Sequence, residues 1–411
     1  MSKYFDALET RSPAERKSAL ATRLPQQIAH ARANTAHFAE SLKHIDAASI
    51  SSVEALAALP VVRKSDLIEL QKQRRPFGGL AAGGWGQLGR VFSSPGPIYE
   101  PEGRGADYWR TARALYAAGF RAGDLVHNSF SYHMTPGAWI LEAGAQALGC
   151  TVFPAGVGQT EQQVAAMADL APNGYVGTPS FLRILLEKAD ELGIKLPSLT
   201  KALVSGEAFL PPVRDALLAR GVIGYQAYAT AELGVIAYET EARQGLVVDE
   251  GVIVEIVRPG TGDPVAEGEV GEVVVTTFNS DYPLIRFGTG DLSAVLPGVS
   301  PCGRSNMRIR GWMGRADQTT KIKGMFVHPE QVAAVVKRHP EIAKARLVVT
   351  NPDSTDLMTL NCEVAGPGGD LGKSIAESVR DITKLRAEVA LVAVGSLPND
   401  GKVISDDRKY D

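Results

Sequence analysis

The sequence predicts an α/β protein. It should have a large N-terminal domain of mainly parallel sheets covered by helices plus a β-rich part, followed by a small mobile α+β C-terminal domain. Three observations predict it. Short apolar runs alternate with helical periodicity through the middle third. Beyond about Gly245 the texture shifts to long β-branched runs. The final stretch mixes both periodicities in short pieces.

The elements follow in order. From Ser12 to Leu42 apolar residues recur three and four apart, the pattern of a helix with one buried face. "SISSVEALAALPVVRKSDLIEL" gives a serine-capped helix ending near Pro60 and another starting near Ser65, which completes a helical start over about residues 1–80. An α/β core spans about 90–235. There the strands "DLVHNSF", "CTVFPAG" and "GYVGTP" alternate with the helices "PGAWILEAGAQALG", "TEQQVAAMADLA" and "SFLRILLEKADELG". "GVIVEIVRPGTGDPVAEGEVGEVVVTTF" reads as two strands joined by a Gly/Pro/Asp turn, the antiparallel signature of a β-rich part over about 245–316. The polar "GRADQTT" marks a boundary near Asp317, so residues 1–316 and 317–411 are the two expected domains.

Composition excludes several function classes. A chain of 411 residues exceeds what one hydrophobic core usually organises. A formal net charge of -3 leaves no basic excess for nucleic acid or an anionic membrane surface. Cys150, Cys302 and Cys362 lie far apart and odd in number, which points to a reducing compartment. The N-terminal residues are polar, and the run "VALVAV" is far too short to span a bilayer. The expectation is a cytoplasmic enzyme or binding protein.

"YATAELG", "RFGTGD", "GRADQTTKIKG" and "LPNDGKV" follow one another from Tyr228 to Val403. "LPVVRKSDL", "PFGGL" and "SGEAF" precede them. In this order the motifs resemble the adenylate-forming enzymes, and most closely their phenylacetate–CoA ligase branch, from about Leu24 to Lys402. The resemblance implies the adenylate-forming fold, the use of ATP, Mg²⁺ and coenzyme A, and a small-molecule carboxylic acid as substrate. Homodimers are common among such relatives, and the sequence leaves the oligomeric state of this chain open. The implied reaction has two steps: formation of an acyl-adenylate and pyrophosphate, then displacement of AMP by the thiol. Between them the small domain turns about a hinge that matches Asp317.

Each motif has a physical reading beside the family role. Lys402 brings a compact charge on a flexible stem, and Gly401 lets its turn approach closely. The resemblance makes Lys402 the lysine of the adenylating step. Asp291 is either a turn-capping aspartate or an acceptor for both ribose hydroxyls, assisted by Arg315. Gly324 is either a simple turn or the glycine beside which the pantetheine arm passes. Tyr228 is able to stack on adenine, and Glu232 to hold Mg²⁺ near the phosphates. The hydroxyl expected after them is displaced: Thr230 stands one residue early and Ala231 takes its place. A phosphate hydrogen bond lost in this way costs about 1–3 kcal/mol. Gly206 matches the backbone that lies along adenine, and Glu207 is either a further contact or a solvated acid.

Tyr132, His133, Trp139 and Phe181 suit a flat or apolar acid, or else belong to the core. The branch often carries a structural zinc site, whose positions match Thr240, Val247, Ser300 and Cys302 here. One thiolate out of four does not hold zinc, so no structural zinc is expected. The phosphate loop departs furthest. "VFSSPGPIYEP" keeps Ser93, Ser94 and Gly96 but has no lysine, and Pro95 and Pro97 each remove a backbone donor. A stiffer loop, a weak hold on ATP and a ready hold on AMP are expected, with Ser93 and Ser94 making the remaining phosphate contacts. Two other functions stay open: an adenylating enzyme with an amine or carrier-thiol acceptor, and a degenerate relative that binds an acyl or nucleotide ligand without turnover.

Overall fold

The apolar runs of the middle third become strands because each is flanked by an amphipathic helix able to cover it. In the computed structural model, residues 2–94, 97–316, 318, 320–322, 325–352, 356–366 and 369–408 are described. The chain divides into two compact units. The first comprises Met1–Val254, Val275–Phe287 and Leu296–Trp312; the second comprises Glu255–Val274, Gly288–Val295 and Met313–Asp411.

In the first unit, α1 (Pro13–Asn34) starts at Ser12, which shares a reciprocal cap with Glu15. It buries Leu24, Gln27, Ile28 and Ala31. After α2 (Leu67–Gln73), the strands β1 (Arg90–Ser94) and β2 (Ile98–Glu102) form an antiparallel hairpin. Its pairs run from Arg90↔Glu102 to Ser94↔Ile98.

The alternating section follows: β3 (Leu125–Asn128), α3 (Gly137–Ala147), β4 (Thr151–Pro154), α4 (Thr160–Leu170), β5 (Gly174–Gly177), α5 (Pro179–Glu191), β6 (Lys201–Val204), α6 (Pro211–Ala219) and β7 (Ile223–Thr230). The strands are parallel, in the order β4-β3-β5-β6-β7. Neighbouring strand residues enter different cores. Val176 and Leu203 join Ile140 and Leu141 of α3. Tyr175, Ala202 and Val204 join Val164 of α4, Leu182 and Leu185 of α5, and Leu217 of α6. Successive side chains point to opposite faces, so the helices cover both sides of the sheet. β8 (Gly234–Glu239) and β9 (Leu246–Val248) extend it antiparallel.

The β-branched runs beyond Gly245 form β10 (Val252–Val257) and β11 (Gly271–Thr277); with β12 (Phe287–Ser293) they are the strands along which the chain passes from one unit to the other. β13 (Arg308–Ile309) returns to pair with β9, Leu246 opposite Ile309.

The second unit contains α7 (Pro329–Arg338), β14 (Ile342–Thr350), β15 (Leu357–Val364), α8 (Leu371–Thr383), β16 (Glu388–Ala393) and β17 (Ile404–Asp406). The sheet order is β16-β15-β14-β17, with an antiparallel central pair and parallel flanks. Val332 and Val335 of α7 and Ile375 and Val379 of α8 pack with Leu347, Val349, Leu360 and Cys362. A smaller apolar cluster unites Val270, Leu292, Ala294 and Ala316. Among the described residues, no helix is long and apolar enough to cross a membrane.

Candidate active site

Ligands of open α/β sheets bind beyond the carboxyl ends of the strands. In the first unit those ends carry Asn128, Thr178, Gly206 and the segment Tyr228–Glu232. β7 finishes in a tight turn. Its pairing with β8 slips between Tyr228 and Ala229, a bulge that re-aims the strand end. Thr230 Oγ1 accepts the Leu233 N–H at 3.3 Å, so the early threonine serves the turn itself. Gly234 closes the turn at φ +69°, and an added Cβ would lie 2.6 Å from the Trp109 carbonyl oxygen. Only glycine fits there.

The turn holds Glu232 with its side chain fully buried. Lys64 Nζ lies 2.7 Å from Glu232 Oε1. Among the described residues no hydrogen-bond donor meets Glu232 Oε2. A buried carboxylate oxygen without a donor fits a hard cation, so Glu232 suits the Mg²⁺ that the family pattern implies.

The hairpin supplies a second buried acid. Gln71 of α2 donates to the Tyr99 carbonyl at 2.8 Å and accepts the Tyr99 N–H at 2.9 Å, which clamps β2 beside it. The next residue, Glu100, has no exposed surface. Ser94 Oγ donates to Glu100 Oε1 at 2.5 Å, and Glu100 Oε2 has no donor among the described residues. Burial, with the negative Glu232 adding to it, pushes the Glu100 carboxyl up to about 8, although the Ser94 hydroxyl works the other way. Ser94 is therefore engaged within the protein, whereas Ser93 is half-buried and donates its N–H to the Met134 carbonyl at 2.9 Å.

At the end of β3, Asn128 Nδ2 donates to Tyr132 Oη and to the Ala138 carbonyl, both at 2.9 Å. Tyr132 Oη donates onward to Glu142 at 2.6 Å. The Tyr132 and Trp139 rings meet edge to face at 5.2 Å, and the Arg90 guanidinium covers Trp139 at 4.0 Å. The structure thus joins two of the four aromatic candidates. His133 is exposed, and Phe181 packs half-buried against the α5 core. Gly206 follows β6 next to Phe130 and Thr178. Glu207 is exposed and accepts the Ser180 N–H at 2.6 Å, so it caps the first turn of α5.

The second unit holds the other group of candidates. Arg315 donates to Asp291 Oδ1 at 2.9 Å across an isolated backbone bridge. The turn of Lys402 is tied from several sides. Asn399 Oδ1 accepts the Val270 N–H, Gln318 donates to the Gly401 carbonyl and accepts the Ile404 N–H, and Arg346 grips Asp400. Lys402 itself is exposed, and it lines with Arg315 and Asp400 a cleft of about 240 Å³. Gly96, Asp317 and Gly324 lie outside the described residues.

Of the positions compared with a zinc site, Thr240, Ser300 and Cys302 share hydrogen bonds in the first unit, whereas Val247 is paired within the sheet. Ser300 Oγ and Cys302 Sγ are 3.0 Å apart, and Arg304 donates to the same sulfur at 3.5 Å. Burial raises the Cys302 thiol, but bonds from Ser300, Thr240 and Arg304 outweigh it and hold the thiol below its ordinary range.

Sequence reasoning singled out neither Lys64 nor Glu100. Lys64 lies within "LPVVRKSDL", and Glu100 is the one acid in "VFSSPGPIYEP". A charged residue inside an apolar strand was the available signal for Glu100.

Comparison with known proteins places the chain in a family. Residues 111–279 match the AMP-binding enzyme family. The chain is 31% identical over 387 residues to a phenylacetate–coenzyme A ligase of Aromatoleum evansii, covering 90% of this chain and 86% of that one. It is 33% identical over 341 residues to a phenylacetate–coenzyme A ligase of Thermus thermophilus, covering 79% and 75%. A solved 2-hydroxyisobutyryl-CoA ligase, in an open conformation with 2-HIB-AMP and CoA, is similar with a TM-score of 0.73. That structure is 28% identical, and the match covers 97% of this chain and 92% of that chain. The chain is an acid–thiol ligase that works through an acyl-adenylate, and it belongs to the phenylacetate–coenzyme A ligase family of adenylate-forming enzymes.

Proposed function

We propose that this enzyme joins a compact apolar carboxylic acid, aryl or of similar size, to coenzyme A. The observation that carries the reading is Lys402: an exposed lysine on a turn tied at Asn399, Asp400 and Gly401. A protein that only binds a ligand has no need to hold a mobile charge on so fixed a base.

In the first step a carboxylate oxygen of the acid attacks the α-phosphorus of ATP, and the bond to pyrophosphate breaks. Lys402 offsets the negative charge that gathers at the reacting atoms. Asp291, steadied by Arg315, accepts the ribose hydroxyls, while Tyr228 and the backbone at Gly206 take the adenine. Mg²⁺, when bound with the nucleotide at Glu232, neutralises phosphate charge. In the second step the thiol sulfur of coenzyme A attacks the acyl carbon, and AMP leaves. The Tyr132–Trp139 pair supports an aromatic acid, since an edge-to-face wall favours a flat partner. On this reading residues 317–411 form a small domain that turns about Asp317 between the steps, with Gly324 beside the pantetheine arm.

The closed pairing of β1 and β2 up to Ser94↔Ile98, with Ser94 engaged by Glu100, supports a weak hold on the terminal phosphates of ATP. AMP is then expected to bind more tightly than ATP. The test is AMP release and thioester formation with ATP, Mg²⁺, coenzyme A and a panel of aryl and alkyl acids. Lys402→Ala should lower the rate by about 10²–10³-fold. If no acid releases AMP above the Lys402→Ala level, the ligase reading fails. Acid-dependent pyrophosphate exchange without a thioester would instead point to an amine or carrier-thiol acceptor.

A further inference from the structure

We propose that Gln318 is a positioning residue for Lys402, holding the turn that aims the ammonium group. Gln318 belongs to "GRADQTT", a stretch whose polarity reads as an ordinary boundary in the sequence. In the structure its amide is fully engaged with the Lys402 turn. Nε2 donates to the Gly401 carbonyl at 3.0 Å, while Oε1 accepts the Val403 N–H at 2.5 Å and the Ile404 N–H at 2.8 Å. One planar group thus grips the backbone on both sides of Lys402.

Asp400 fills the gap between these bonds. Its Oδ1 accepts the Lys402 N–H at 3.1 Å, and Arg346 Nη2 holds both of its carboxylate oxygens at 2.6 Å. Leu347 of β14 donates to the Val403 carbonyl at 2.8 Å. The backbone from Gly401 to Ile404 is therefore fixed, while Lys402 itself is exposed. An amide suits the place of Gln318, because the Gly401 carbonyl needs a donor and the two N–H groups need an acceptor. A carboxylate lacks the donor, and an apolar chain lacks both.

The partners Gly401, Val403 and Ile404 all follow Gln318 in the small C-terminal segment. Asn399 differs, since its partners Gly268 and Val270 lie before that segment. Gln318 thus sets the shape of the turn, and Asn399 sets where the turn rests. The lysine stem is long, so a slight tilt of its base becomes a large shift at Nζ. A misplacement of about 1 Å near reacting atoms can cost about 10²-fold in rate. That consequence rests on the adenylating role proposed above for Lys402, whereas the clamp itself does not.

The experiment compares Gln318→Met with wild type, as full-length proteins, by two readouts. Trypsin cleavage after Lys402 is timed against cleavage after Lys373, an exposed lysine of α8 in the same unit. A protease draws an extended segment into its site, so a clamped turn resists it; Gln318→Met should speed cleavage at Lys402 about tenfold relative to Lys373. It should also lower kcat for acid-dependent AMP release about 10- to 100-fold and leave the KM for ATP within about twofold. Thioester formation from supplied acyl-adenylate, a step that does not use Lys402, should be unchanged. Ser378→Ala removes a hydrogen bond with His339 elsewhere in the unit and should alter neither readout. Should the Met variant melt early, Gln318→Glu keeps both acceptors, loses the donor to Gly401, and should show the same selective effects. Unchanged cleavage at Lys402, an unchanged kcat, or an equal loss in Ser378→Ala overturns the proposal. If wild type releases no AMP with any acid, the ligase reading fails, and trypsin alone decides whether Gln318 clamps the turn.

Discussion

The turn after β7 and the turn of Lys402 solve opposite problems. The first keeps its working group immobile: Glu232 is fully buried behind a glycine wedged against Trp109, and its charge is met by one partly exposed lysine. The second keeps its working group free. Lys402 is exposed, while the backbone beneath it is bound on every side that hydrogen bonds describe. The difference teaches where each turn is vulnerable. Around Glu232 the weakness is electrostatic, because buried charge depends on its partners. Around Lys402 the weakness is steric, because the turn depends on the absence of one methyl group.

Three perturbations sharpen this contrast. The largest effect is expected from Lys64→Met. It leaves Glu232 without its counter-ion in a site that water does not reach, and breaking such a pair typically destabilises by about 3–5 kcal/mol. Urea unfolding would measure it, and adding Glu232→Gln should restore most of the loss. A drop below about 1 kcal/mol would mean that the carboxylate is screened after all.

Next is a pH effect at Glu100, measured without divalent cations. Its carboxyl is raised to about 8 by burial, whereas the unfolded chain titrates near 4.5. Between those values the native state keeps a proton that the unfolded state releases. Its stabilising contribution is therefore full below about pH 4.5 and is lost as pH rises towards about 8. Glu100→Gln should remove this slope, and its advantage over wild type should grow by at most about 1.4 kcal/mol per pH unit. Parallel stability–pH curves for the two proteins would contradict the assignment.

The smallest effect on stability is expected at Gly401. Its φ is +70°, and an added Cβ would approach Val270 Cγ1 to 2.6 Å. Gly401→Ala should cost about 1–3 kcal/mol in the second unit. It should also lower kcat for AMP release more than it raises the KM for ATP, since it misplaces a group used in the transition state. An unchanged kcat would show that the turn tolerates movement.

Much of this was legible in the sequence for simple reasons. The alternating strands and helices obey periods of two and 3.6, and each predicted strand from "DLVHNSF" to "GYVGTP" contains an observed one. The motif residues Glu232, Asp291, Arg315 and Lys402 announced themselves by order along the chain. Other features were not legible. The threonine of "YATAELG" caps its own turn because of a bulge at Tyr228, and no propensity marks that bulge. Arg286 of "RFGTGD" is fully buried and donates to the Leu59 carbonyl, a structural use of a motif arginine. Glu207 caps a helix whose first residues lie far off in sequence.

By itself, then, the sequence determined the fold class, the family and the order of the chemical groups, since these depend on local pattern and on spacing along one chain. Only the tertiary structure decided which groups share an environment. It paired Arg90–Ser94 antiparallel with Ile98–Glu102, turned Ser94 inward to Glu100, and set Lys64 against the buried Glu232. The physical reason is that burial and charge pairing are properties of places where distant segments meet, and they decide whether a carboxyl is solvated or held in a dry, paired environment.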